Sequence, residues 1–149
     1  MSTRRRTPAA GTYRWEYGKL IPRAVIRDYA RQVAERFQPK RIILFGSYAY
    51  GTPHKDSDVD ILVVMPAYDE INQAVRTRQN TDHPFPLDLI VRTPENLSWR
   101  LKEGDWFLRE IVRKGKVLYE KADGGLDPQG RKRSARRQKP GKTAPASTR

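Results

Sequence analysis

The chain is 149 residues long, with a formal net charge of +13, 32% charged residues and no cysteine. That length gives one domain a core able to stand without staples, and the missing cysteine excludes disulfides and thiolate metal sites and favours a reducing compartment. The longest apolar runs, 42–45 and 59–65, are far too short to cross a bilayer, and no apolar leader follows Arg4, Arg5 and Arg6, so a cytoplasmic location is expected.

The charge is unevenly spread. Residues 1–14 hold four arginines and no acid, or +4, while from Lys121 onward nine Lys/Arg face only Asp123 and Asp127, or +7. The segment between carries +2. A basic N-terminal arm (1–14) and a basic C-terminal tail (122–149) have almost nothing to bury and are expected to be disordered. They flank one folded domain at 15–121, and no internal repeat interrupts it.

Within the domain, Pro22 suits a first helical turn. Val25, Ile26, Tyr29, Val33 and Phe37 then recur at spacings of one to four, predicting an amphipathic helix that ends before Pro39. RIILF at 41–45 reads as a buried strand. Gly46-Ser47 breaks it and starts a short helical turn over 48–50, closed by Gly51. The polar loop TPHKDS leads into a strand at 59–65, stopped by Pro66. Residues 69–80 are expected to be helical on a thin apolar face of Ile71, Ala74 and Val75. A third strand follows at 87–91, then a short helix at 94–101. A last amphipathic helix runs over 105–114 through Trp106, Phe107, Ile111 and Val112, and 117–119 adds one more short strand. Helices alternating with apolar strands predict an α/β (α+β) fold, a small mixed sheet flanked by helices.

The chemistry concentrates in Gly46-Ser47, a ten-residue spacer, and Asp58-Val59-Asp60. Aspartates at i and i+2 of a strand point to one face, about 7 Å apart along the backbone. Val59, Ile61 and Val63 then point the other way, into the core. Two carboxylates on one face repel unless something positive lies between them. Hard oxygen ligands favour Mg²⁺ for that place. Gly46 lets a phosphate approach the backbone, and Ser47 opens the following turn with free N–H groups and a hydroxyl. A phosphate cradle beside a carboxylate pair is what a nucleoside triphosphate with bound metal requires. Asp88, inside the apolar run PLDLIV, needs a partner, because a lone buried charge is costly. If its strand lies beside 59–65, it joins the same cluster.

The run LFGSYAYGTPHKDSDVDILVV resembles the signature of the polymerase-β-like nucleotidyltransferase superfamily, Gly-Ser followed by a spacer and Asp-x-Asp. More narrowly, residues 20–120 resemble the minimal nucleotidyltransferase (MNT) proteins, whose late strand aspartate is matched by Asp88 and whose ending is similar to FLREIVRKGKVLYE here. The resemblance implies a polymerase-β-like palm, ATP as substrate and two Mg²⁺ ions. Carried over, Gly46 and Ser47 hold the β/γ-phosphates, Asp58 and Asp60 bridge the metals, and Asp88 binds the metal that activates the acceptor hydroxyl. It also implies a partner: MNT proteins commonly act as antitoxins beside a HEPN-type (all-helical ribonuclease) toxin, and some transfer AMP to a tyrosine of it.

Other features have plainer readings. Asp56 is expected to cap its turn through the backbone of Ser57 or Asp58. Tyr48 and Tyr50 flank the phosphate loop, where packing is a commoner fate than base stacking. Arg78 and His83 fit the Arg-x4-His spacing of HEPN ribonucleases, but His83 precedes Pro84 in a connection to a strand, so the match reads as chance; His54 is a solvated loop histidine. Trp99, Trp106 and Phe107 are expected between helix and sheet, and would form a partner surface only if exposed. The tails could attach weakly to nucleic acid without sequence preference, although no aromatic residue interleaves the tail arginines. The rivals to catalysis are a binding antitoxin that neutralises its partner by contact, a small-molecule (aminoglycoside-like) nucleotidyltransferase, for which this chain lacks a second helical domain, and a nucleic-acid-binding protein acting through its tails.

Overall fold

The computed structural model describes residue 16 and residues 18–122. The arm expected at 1–14 and, but for residue 122, the tail expected at 122–149 lie outside the described residues. Among the described residues the elements follow in order: α1 (Arg23–Phe37), β1 (Arg41–Phe45), α2 (Ser47–Tyr50), β2 (Val59–Val64), α3 (Glu70–Gln79), β3 (Leu87–Arg92), α4 (Pro94–Lys102), α5 (Trp106–Lys114) and β4 (Lys116–Glu120). The chain's contacts form one unit ending at Tyr119, which carries this architecture, and a second beginning at Glu120.

The helix boundaries have local causes. Pro22 is the residue before α1 rather than inside its first turn. At the other end Gln38 turns left-handed at φ 49, donating its amide to the Ala34 carbonyl, ahead of Pro39. Asp69 caps α3 by accepting from the amides of Ile71 and Asn72, Thr93 caps α4 through Asn96, and Asp105 caps α5 through Leu108. Each such cap contributes about 1 kcal/mol. The Leu108 amide is also the main reason that the Asp105 carboxyl sits below the usual carboxylate range, with Arg100 adding to it.

The four strands lie in the order β3-β2-β1-β4. β1 and β2 pair antiparallel with Phe45 opposite Asp60, and β2 and β3 pair parallel with Asp60 opposite Asp88. Alternation then sorts the side chains onto two faces. Ile42, Leu44, Val59, Ile61, Val63, Leu89 and Val91 face a core shared with Val25, Ile26, Tyr29 and Val33 of α1. Ile43, Phe45, Leu62 and Val64 face a second core closed by Leu97 of α4 and by Leu108 and Ile111 of α5. At the end of α5, Gly115 lies so close to β1 that an added Cβ would meet the Ile111 carbonyl at 2.4 Å and Ile43 Cγ2 at 2.6 Å.

One expectation is corrected. Trp99, Trp106 and Phe107 are not enclosed between helix and sheet; they are 58%, 71% and 47% exposed. In α5 the inward positions belong to Leu108 and Ile111. Among the described residues no helix is long and apolar enough to cross a membrane.

Candidate active site

Asp60 occupies the second position of β2, on the face of the sheet that carries the α4/α5 core, and is half-buried. Its parallel neighbour at the same level is Asp88, second residue of β3, which is exposed. In parallel strands, residues in register point to the same face, so these carboxylates stand on one side of the sheet. Asp58 lies two residues before Asp60, just outside β2, and is exposed. The consequence is electrostatic. The Asp60 carboxyl is pushed up to about 6 from 3.8, first by burial, then by the charge of Asp88, then by that of Asp58. All three influences act in one direction, so the site favours a proton, or a cation in its place.

Gly46 completes the arrangement. It follows Phe45, the β1 partner of Asp60, with φ 74 and ψ −163, a region that L side chains rarely enter. A Cβ built there would lie 2.0 Å from Asp60 Oδ2 and 2.9 Å from its Cγ. The glycine is therefore required twice, for the turn and for the close approach of backbone to carboxylate. Ser47 opens α2 directly after it. The amides of Ala49 and Tyr50 turn back onto the Gly46 carbonyl, while those of Ser47 and Tyr48 precede the first helical bond, as the opening amides of any helix do. The structure thus brings Gly46, Asp60 and Asp88 together, with Ser47 and Asp58 adjoining in sequence.

Three carboxylates, one of them half-buried, are the donor chemistry of a hard divalent cation. They are not a finished cage, since among the described residues no three acidic or histidine side chains are gathered closely enough to hold a metal. Carboxylate oxygens are nonetheless the donor type that such a cation takes, and any ion here would need further ligands from outside these side chains.

The neighbouring residues sort themselves out. Tyr48 is half-buried, and its hydroxyl accepts from the Ile21 amide at 3.1 Å, which makes it a packing residue; Tyr50 is exposed. The turn before Asp58 is closed by Ser57, whose Oγ accepts from the His54 amide at 2.7 Å while its own amide donates to the His54 carbonyl, so Ser57 performs the task expected of Asp56. His83 lies 3.1 Å through Nε2 from the Arg78 carbonyl and meets the Tyr29 ring edge-on. The Arg-x4-His spacing therefore marks the end of a helix. One ring contact beside the site escaped the sequence reading. Phe45 pairs with Asp60, and its ring packs edge-on against Phe107, centroids 5.7 Å apart. The available signal was that Phe45 shares the face of Asp60 and immediately precedes Gly46. A cavity of about 560 Å³ lined by residues after β2, among them Asp69, Asn72 and Arg76, lies at the opposite end of that strand from Asp60.

The chain is similar to known proteins. Residues 26–119 match the family described as "Nucleotidyltransferase domain". A protein of Methanocaldococcus jannaschii, which carries the provisional name of a protein adenylyltransferase, is 30% identical over 97 residues, covering 63% of this chain and 94% of that protein. A crystal structure from Sulfolobus solfataricus, provisionally titled a nucleotidyltransferase, aligns over 64% of this chain and 78% of that one, with 18% identity and a TM-score of 0.46.

Proposed function

The chain belongs to the nucleotidyltransferase domain family, and from that premise we propose that it transfers AMP from ATP, with Mg²⁺, to the hydroxyl of a tyrosine on a HEPN-type protein partner, which it thereby neutralises. The observation that carries the reading is the register of Asp60 with Asp88 beside a glycine that admits no side chain. The name of the M. jannaschii relative supports a protein acceptor over a small molecule. The tyrosine and the HEPN partner come from the resemblance to MNT proteins alone.

In this reading Asp58, Asp60 and Asp88 hold two Mg²⁺ ions, which when bound supply positive charge for the triphosphate and for the oxygens of an in-line displacement. The chain's own groups do the rest. The Gly46-Ser47 turn receives the β- and γ-phosphates, because no Cβ obstructs the backbone there and the Ser47 amide and hydroxyl are donors. The acceptor oxygen forms a bond to the α-phosphorus, the bond to the bridging oxygen breaks, and pyrophosphate leaves. Asp88, exposed at the strand edge, takes the hydroxyl proton. Asp60, more deeply set, holds its place among the phosphates as a carboxylate once positive charge offsets its neighbours.

The test incubates the purified protein with labelled ATP, Mg²⁺ and the product of its chromosomal neighbour, followed by mass spectrometry of both chains. An adenylyl group on a partner tyrosine, lost in the Asp58→Asn/Asp60→Asn variant together with neutralisation, is the expected outcome. Neutralisation that survives the double substitution overturns catalysis in favour of contact alone.

A further inference from the structure

α1 carries Arg23, Arg27 and Arg31 at intervals of four, so their stems rise from one side of the helix and span about 12 Å along it. All three are exposed. Two cavities open between that side and β4. The larger, about 440 Å³, is lined by Arg27, Arg31, Ala34, Glu35, Leu118 and Tyr119. The smaller, about 170 Å³, adds Arg23, Lys116 and Val117. Arg27 and Leu118 line both, so the two form one furrow. Four cations border it against a single carboxylate, Glu35. Arg31 pairs with Asp28 of its own helix at 2.9 Å and remains 67% exposed, while Arg23 and Arg27 enter no ion pair among the described residues.

The furrow is separate from the carboxylate site. Leu118, Tyr119 and the inner side of α1 pack on the core of one sheet face, whereas Asp60 shares the other face with α4 and α5. We propose that this furrow seats a single strand of nucleic acid, held through its phosphates without base readout. A single strand is slimmer than a duplex and can follow a furrow bounded by one helix and one strand. Arginine's planar fork suits phosphate oxygens. Tyr119 offers a ring in the wall, and stacking on such rings tolerates any base. This inference does not depend on the transfer reaction.

The test uses the full chain and a fluorescein-labelled oligouridylate, with anisotropy followed across a salt series. For single strands the slope of log K against log salt is about −0.7 per phosphate neutralised. The Arg23→Gln/Arg27→Gln/Arg31→Gln variant should therefore lose about 2 from the magnitude of the slope, with its thermal unfolding unchanged. Arg27→Glu alone provides a second, milder variant and should weaken binding about tenfold at low salt. A charge-matched control on α5, Arg109→Gln/Arg113→Gln/Lys114→Gln, should keep the wild-type slope, as should Asp60→Asn. The proposal is overturned if the α5 control lowers the slope as much as the α1 variant, which would leave net charge alone responsible. It also fails if polyglutamate of equal length competes as well as the oligonucleotide, which would make the occupant an acidic peptide, or if the wild-type chain does not bind.

Discussion

Asp60 and Asp88 stand opposite each other on neighbouring parallel strands, at the second residue of each. Burial disfavours ionisation of Asp60, and the charge of Asp88 across from it adds to the effect. The pair is an arrangement that folding alone does not favour. It is retained where a ligand supplies the missing positive charge, and that makes its energetics measurable.

The pH dependence of stability follows. The Asp60 carboxyl rises to about 6 in the folded chain from 3.8, so the folded state holds a proton that the unfolded chain releases. Its contribution is fully present below about pH 4 and is lost as pH rises through 6. The metal-free protein should lose melting temperature between about pH 4 and 6 and level off above, and Asp60→Asn should flatten that loss. At pH 7.5 the variant should be more stable by about 1 kcal/mol, after discounting for the exposed part of the group. A variant that melts below wild type there contradicts the electrostatics described.

The same substitution should act oppositely on chemistry. Asp60→Asn and Asp88→Asn should each lower adenylyl transfer by about a hundred- to a thousandfold, the scale on which loss of a charge-stabilising group slows an enzyme. A stabilised but inactive Asp60→Asn protein separates a functional carboxylate from a structural one. Transfer measured by retention of label on the acceptor decides the matter.

Metal should reverse the instability. Mg²⁺ added to the wild-type protein at pH 7.5 should raise the unfolding temperature, because an ion that binds only the folded state stabilises it by mass action. Asp58→Asn/Asp60→Asn should not respond, and chelation should abolish transfer. Calorimetric scans with and without Mg²⁺ read both.

Gly46 and Gly51 provide a contrast. Both have positive φ, 74 and 84, but Gly51, at ψ 15, is left-handed, where alanine costs about 1 kcal/mol in backbone strain, whereas Gly46, at ψ −163, lies in a region that essentially only glycine enters. Around Gly51 a Cβ meets nothing within 4 Å, whereas at Gly46 it meets Asp60 Oδ2 at 2.0 Å. Gly51→Ala should keep most transfer activity. Gly46→Ala should lose it and cost about 2–3 kcal/mol in denaturant unfolding.

Tyr29 is fully buried and its hydroxyl bonds Thr81 Oγ1 at 2.8 Å, a bond that joins α1 to the end of α3. Tyr29→Phe leaves the ring contacts with Phe85 and His83 and removes the bond, and should cost about 1 kcal/mol. Transfer activity should be unaffected, since Tyr29 faces the other side of the sheet from Asp60.

Much of this was legible in the chain itself. RIILF, VDILVV and LDLIVR declare strands by β-branched density, and glycine and proline mark their ends. The i, i+2 spacing of Asp58 and Asp60 gives a common face without coordinates. What sequence could not supply is register. Nothing local says that Asp88 aligns with Asp60 rather than with a residue two positions along, because that pairing is set by how β3 packs across α3. Direction, by contrast, was legible in WFLREIVRK, where the helical period sets Leu108 and Ile111 opposite Arg109, Glu110, Arg113 and Lys114. Trp106 falls among those charged residues, which is why it stays outside. The stripe of Arg23, Arg27 and Arg31 can be read by counting in fours, but its opposite wall arrives from β4, 85 residues after Arg31.

The parallel pairing of β2 with β3 also bears on the order of events during folding. β1 and β2 can zip together as a local hairpin, but β3 reaches its place only after the intervening segment with α3 has crossed over, a slower closure. Until that happens Asp88 is absent from the neighbourhood of Asp60, and a nascent or partly unravelled chain has no complete acidic centre. Competence is thus acquired only at a long-range step, so a half-made molecule would lack the centre that the proposed transfer requires.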